Sequence, residues 1–85
     1  MAGRGLEGVD VFGEGEFGED VRALQKLLNA DGFALVASGP GSSGNETNYF
    51  GPATKAAVIR FQIAHGIVPS VGYVGPLTRV AFSSL

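Results

Sequence analysis

Phe50-Gly51-Pro52-Ala53-Thr54-Lys55-Ala56-Ala57 returns twenty-four residues later as Val74-Gly75-Pro76-Leu77-Thr78-Arg79-Val80-Ala81. Gly, Pro, Thr and the final Ala repeat in register, the basic position changes only from Lys to Arg, and the residue before Gly stays apolar. Each copy reads as a helix entry: an apolar residue anchors the incoming chain, Gly takes the cap, and Pro occupies the first helical position, where its missing N–H costs nothing. The repeat predicts two helices entered by one device, at Pro52 and at Pro76.

Working outward, the first of these helices runs from Pro52 to about His65, with Ala53, Ala57, Val58, Phe61 and Ala64 on one stripe and Gly66 as its stop. The second runs from Pro76 to about Ser84, with Leu77, Val80, Ala81 and Leu85 expected inward. Upstream, residues 19–30 place acids Glu19 and Asp20 in a first turn, apolar Val21, Leu24, Leu27 and Leu28 on one face, and Gly32 just beyond the end. That is a further amphipathic helix, with negative charge at the positive end of its dipole. Leu24-Gln25 and Phe61-Gln62 form a second echo, each an apolar-Gln pair shortly before a Gly exit. The expected fold is all-α: a small three-helix bundle of pseudo-duplicated helix-loop units, with a long loop between helices 1 and 2. Residues 1–16, rich in Gly, read as a flexible N-terminal linker, with Val9, Val11 and Phe17 as an extended lead-in to a domain at 17–85.

Eighty-five residues make one small domain with a thin core. Eight acids against six bases give a net charge of −2, which leaves no basic face for phosphate neutralisation and disfavours nucleic-acid and membrane partners. Cysteine is absent, so disulfides, thiolate metal sites and cysteine nucleophiles are excluded. No apolar run reaches signal-peptide or membrane-spanning length, so an export signal is expected outside this chain.

Residues suited to catalysis are few. The one histidine, His65, falls at a helix C-terminus, where an imidazole meets the carbonyl end of the dipole. No His-x-x-x-His or acidic calcium loop occurs, and Glu46 is the lone carboxylate of the 38–48 loop, so neither a metal nor a cofactor is expected. Glu14, Glu16, Glu19 and Asp20 cluster at the start of helix 1 as dipole partners rather than as a paired acid and base. Gln25 and Gln62 admit two readings: amides that satisfy loop backbone groups, or amides offered to a ligand. The first is favoured, because the loops of a small domain leave many backbone groups to satisfy. Tyr49 and Tyr73 each stand one residue before the apolar anchor of the repeat. They either pack at the helix entries or form a quasi-symmetric pair lining a shallow groove against a sugar or peptide.

Together, residues 18–32, residues 50–62, Gly66-Ile67 and Val74-Gly75-Pro76-Leu77-Thr78 resemble the peptidoglycan-binding type 1 domain family over about residues 17–85. The resemblance implies a non-catalytic module that binds the bacterial cell wall and brings an attached or partner enzyme to it, a wall hydrolase above all. It implies residence in the envelope or outside the cell, and a monomer is expected. The connection 39–48 is longer than in many such domains, so a groove implied by the family is expected to be covered or extended here, and the unrepeated loop 38–49 is where specificity is expected. Expected ligand contacts are Asn45, Glu46, Thr47 and Asn48 from that loop, Tyr49 and Tyr73 as platforms, and Arg79 as partner for a stem-peptide carboxylate. The alternative is a structural spacer or protein-docking module of the same fold without glycan affinity, since the Gly-Pro entries, Leu24, Phe61 and the Gly stops all have folding roles.

Overall fold

The computed structural model describes residues 13–84 and places three helices in the order α1 (Glu19–Ala30), α2 (Pro52–Ala64) and α3 (Pro76–Ser83). All three match the expected spans to within a residue or so, and among the described residues no strand forms, although an isolated antiparallel bridge joins Phe17 to Tyr49. The domain is all-α. Its Cα radius of gyration is 11.3 Å.

The repeated entries behave as their chemistry requires. Gly51 and Gly75 hold nearly the same extended backbone (φ −100° and −105°), Pro52 and Pro76 take the first helical position, and the anchors Phe50 and Val74 are fully buried. Exits use left-handed glycines: Gly32 (φ +88°) after α1 and Gly66 (φ +68°) after α2. Beyond each exit the chain doubles back, with Phe33 N–H donating to Leu28 O at 2.8 Å and Ile67 N–H to Gln62 O at 2.9 Å.

The core is Val21, Leu24 and Leu28 from α1, Ala57, Val58 and Phe61 from α2, Phe82 from α3, and the two anchors. Phe61 sits at its centre, stacked on Phe82 with centroids 4.1 Å apart and meeting Phe33 edge-on at 5.5 Å. The third helix departs from expectation. Leu77 and Val80 point outward, 62% and 63% exposed, whereas Thr78 and Phe82 are buried and Ala81 is half-buried. Thr78 is turned inward because its hydroxyl accepts from the buried Gln62 amide at 3.1 Å, and one turn later the same face carries Phe82. On α2 the stripe is likewise rotated: Thr54 and Gln62 join Ala57, Val58 and Phe61 inside, while Ala64 is exposed. Leu85 lies outside the described residues, as do residues 1–12 of the expected linker with Val9 and Val11. Of the remaining linker stretch, Gly15 N–H donates to Phe50 O and Glu16 O accepts from Phe50 N–H, both at 2.8 Å.

Candidate functional site

Two fully enclosed glutamines organise the loops. Gln25 Nε2 donates to Tyr49 O and to Thr54 Oγ1, both at 3.0 Å, while its Oε1 accepts from Thr47 N–H at 2.6 Å. Gln62 Nε2 donates to Tyr73 O at 2.9 Å and to Thr78 Oγ1 at 3.1 Å, and its Oε1 accepts from Gly72 N–H at 2.9 Å. Both are 1% exposed, so an unfilled bond would leave a buried polar group without water. Each glutamine thus locks a tyrosine carbonyl to the threonine of the following Gly-Pro-x-Thr, which explains why Thr54 and Thr78 recur in the repeat. The glutamines serve the backbone, as the loop bookkeeping implied, and their amides are consumed.

With its carbonyl held, each tyrosine ring turns outward: Tyr49 is 41% exposed and Tyr73 49%. The rings do not share a groove. Tyr49 lines a groove of about 310 Å³ with Leu35, Pro40, Thr47 and Pro52, floored by Gln25 and Thr54. Tyr73 lines another of about 170 Å³ with Val68, Val71 and Leu77, floored by Gln62 and Thr78. The Tyr49 ring folds back over Gly51, where a Cβ would come within 2.9 Å of it, and lies 4.8 Å from the Phe17 ring. Phe17, expected in an extended lead-in, pairs there with Tyr49 through the backbone bridge, and its 70% exposed ring forms an aromatic shelf with the Tyr49 ring beside the larger groove. Backbone pairing of the lead-in with the segment around Tyr49 brings these rings together, and no local pattern signals a pairing between segments so distant in sequence.

The 38–49 loop is held against the outer face of α1 by Arg22, Gln25 and Asn29, which share one helical stripe. Arg22 Nη1 donates to Glu46 O at 2.6 Å, and Asn29 Nδ2 donates to Gly41 O at 3.1 Å and to Glu46 Oε2 at 2.9 Å. The Glu46 carboxylate also accepts from Gly44 N–H at 3.3 Å. The Asn29 bond, opposed by slight desolvation and aided by backbone donors, holds the Glu46 carboxyl below the ordinary glutamate value of 4.5. Asn45 is exposed, its amide donating to Ser42 Oγ at 3.1 Å, and Asn48 is exposed with its carbonyl taken by Gly18 N–H at 2.8 Å.

Of the residues expected to meet a ligand, the structure brings Thr47 and Tyr49 into the larger groove and Tyr73 into the smaller. Asn45, Glu46 and Asn48 lie on the loop outside both linings, and Arg79 is half-buried on α3, also outside them. Sequence reasoning missed Phe17, Leu35 and Pro40. Among the described residues no group of three His, Cys, Asp or Glu side chains converges as a metal site would require, and no helix is long and apolar enough to cross a membrane. His65 closes α2, its Nε2 3.9 Å from Asp31 Oδ2 and its ring 4.2 Å from that of Phe61.

The chain is similar to known proteins and to a family model. The chain is 42% identical over 69 residues to a protein of Kitasatospora aureofaciens named "Uncharacterized protein in bpoA1 3'region", an alignment covering 80% of this chain and 51% of that protein. It is 45% identical over 67 residues to the zinc D-Ala-D-Ala carboxypeptidase of Streptomyces albus G, covering 76% of this chain and 23% of the enzyme. The chain therefore spans about half the length of the first and under a quarter of the second. Residues 17–82, which include the Phe17–Tyr49 shelf, the glutamine locks, α1, α2 and all but the last residue of α3, match the sequence model of the family described as "Putative peptidoglycan binding domain". The chain belongs to this peptidoglycan-binding domain family.

Proposed function

We propose that this chain is a non-catalytic wall-binding module that acts at the cell envelope, as a monomer, and holds an attached or partner wall enzyme against its polymer. The observation that carries the reading is the Tyr49 groove: an exposed aromatic shelf of Phe17 and Tyr49 beside an apolar trough, with the Thr47 hydroxyl at its side. Aromatic rings give the apolar face of a saccharide or the methyl of an alanyl residue a flat surface to lie on, and a few polar groups fix orientation. Asn45 and Asn48, exposed on the loop, extend the polar rim, and Arg79 offers a cation for a stem-peptide carboxylate. Glu46, half-buried on the same loop, adds a carboxylate that Asn29 holds in place. Because peptidoglycan is an insoluble repeating polymer, weak contact with one unit suffices to keep a linked enzyme near many scissile bonds. The residence of a related sequence within a carboxypeptidase fits such a partner.

Co-sedimentation of the purified chain with isolated sacculi tests the reading. Enrichment well above an unrelated domain of similar acidity is expected, and its absence would overturn it. A second reading, a spacer or protein-docking unit of the same fold, draws on the internal hydrogen bonds that already occupy Glu46 and both glutamines. Under that reading the module stays in the supernatant.

A further inference from the structure

The smaller groove has no assigned role, although it is framed by the same repeated positions as the larger one. In both, a tyrosine stands at one edge, its carbonyl held by a buried glutamine. In both, the Gly-Pro pair of a helix entry follows, and the floor is the glutamine and the threonine that it bonds. The walls differ. The Tyr49 groove carries Thr47 and the turn at Pro40 and Gly41, whereas the Tyr73 groove is walled by Val68, Val71 and Leu77, which are 76%, 54% and 62% exposed.

These exposed apolar side chains line one groove rather than standing scattered over the surface. Size and charge narrow the occupant. At about 170 Å³ the trough falls below the space that a drug-sized ligand fills, so it suits one small group. No charged side chain lines it, which disfavours a carboxylate or a phosphate. A methyl-bearing, uncharged group such as the acetamido group of an amino sugar or the side chain of an alanyl residue meets both conditions.

We infer that the Tyr73 groove is a second ligand subsite, which takes an uncharged methyl-bearing group of the same wall polymer while the Tyr49 groove holds another unit. This rests on the wall-binding reading above. One chain would then grip a repeating polymer at two points, and even weak subsites would combine into useful avidity.

Titration of the isotope-labelled full chain with a purified disaccharide-tetrapeptide, followed by amide NMR, separates the possibilities. Saturable shifts at both Thr47-Gly51 and Tyr73-Leu77 support the inference. Shifts at Thr47-Gly51 alone, or at Tyr73-Leu77 alone, overturn it while leaving wall binding intact. Shifts at neither, with no sacculus binding, remove the wall-binding reading as well. Shifts at Tyr73-Leu77 that depend on protein concentration without ligand would assign the groove to a second copy and overturn the inference. The Leu77→Asp variant gives an independent check, since Leu77 is exposed in the first turn of α3, where an acid suits the dipole and folding should survive. It should abolish the Tyr73-Leu77 shifts, keep those at Thr47-Gly51, and weaken sacculus binding at least fivefold. Sacculus affinity within twofold of the parent chain would contradict the two-point grip.

Discussion

Each glutamine lock satisfies several buried groups with one side chain, which makes it the costliest single residue to replace outside the apolar core. Gln25→Leu keeps the volume but strands Thr47 N–H, Tyr49 O and the Thr54 hydroxyl. A loss of about 2–3 kcal/mol is expected, read as a lowered urea midpoint at unchanged slope. Gln62→Leu should cost a similar amount. Gln25→Glu should not rescue, because a carboxylate accepts from Thr47 but cannot donate to Tyr49 O. Glu46 gives a pH signature at the same scale. Its folded-state pKa is depressed, chiefly by the Asn29 bond, so its contribution is present above the ordinary value of 4.5 and is lost as pH falls through the lower folded value. Stability should therefore decline on acidification below about pH 4.5, and Glu46→Gln should flatten that part of the profile. An unchanged profile in the variant would show that other acids govern it. Glu19, depressed chiefly by its exposed bond to Arg22, is the neighbour to exclude by the same substitution.

Among the elements, α3 separates what its sequence shows from what its neighbours decide. Periodicity alone favours Leu77 and Val80 as core, because they are its larger apolar residues before Phe82. The partner of Thr78 is a glutamine on another helix, and that bond sets the rotation. Phe82→Ala should therefore cost about 3–5 kcal/mol, whereas Val80→Ala should stay within about 0.5 kcal/mol, both by urea denaturation. Helix spans, entries and exits were legible because Gly, Pro and the first-turn acids act locally. Gln25 was legible as a partner of loop backbone, but Arg22 and Asn29 on the same stripe were not, because polar residues on a helix face ordinarily point to water and only the loop makes them partners. The linking turns carry their own test. Gly66 (φ +68°) has open space where a Cβ would go, so Gly66→Ala should cost about 1 kcal/mol from backbone strain alone. At Gly72 (φ +82°) a Cβ would also come within 2.6 Å of Lys55 Cγ and 3.2 Å of Lys55 O, so Gly72→Ala should be clearly worse. Equal losses at the two positions would contradict the tight approach of that turn to α2.

At the scale of the molecule, one device used twice yields one core and two unlike grooves. The anchors and threonines of the repeat are buried architecture, the two tyrosines beside it turn outward alike, and the copies diverge at Phe17 and Thr47 beside one groove and at Leu77 beside the other. Tyr49 and Tyr73 were legible as candidates from their place before each anchor. Their separation into different grooves, and the arrival of Phe17 beside Tyr49, depend on how the lead-in pairs with the loop. A net charge of −2 and largely uncharged grooves make aromatic and apolar contact the main attraction. Sacculus binding should accordingly change by less than about twofold between low and high salt, whereas a steep fall would indicate binding through ion pairs instead. The most direct test joins binding to stability in one variant. Sacculus-binding isotherms of the chain carrying both Tyr49→Ala and Tyr73→Ala, measured beside its thermal melt, should show binding lost with melting little changed. Unchanged binding, or an isotherm that weakens only in step with a collapsing melt, would contradict the assignment of the two exposed tyrosines to the wall.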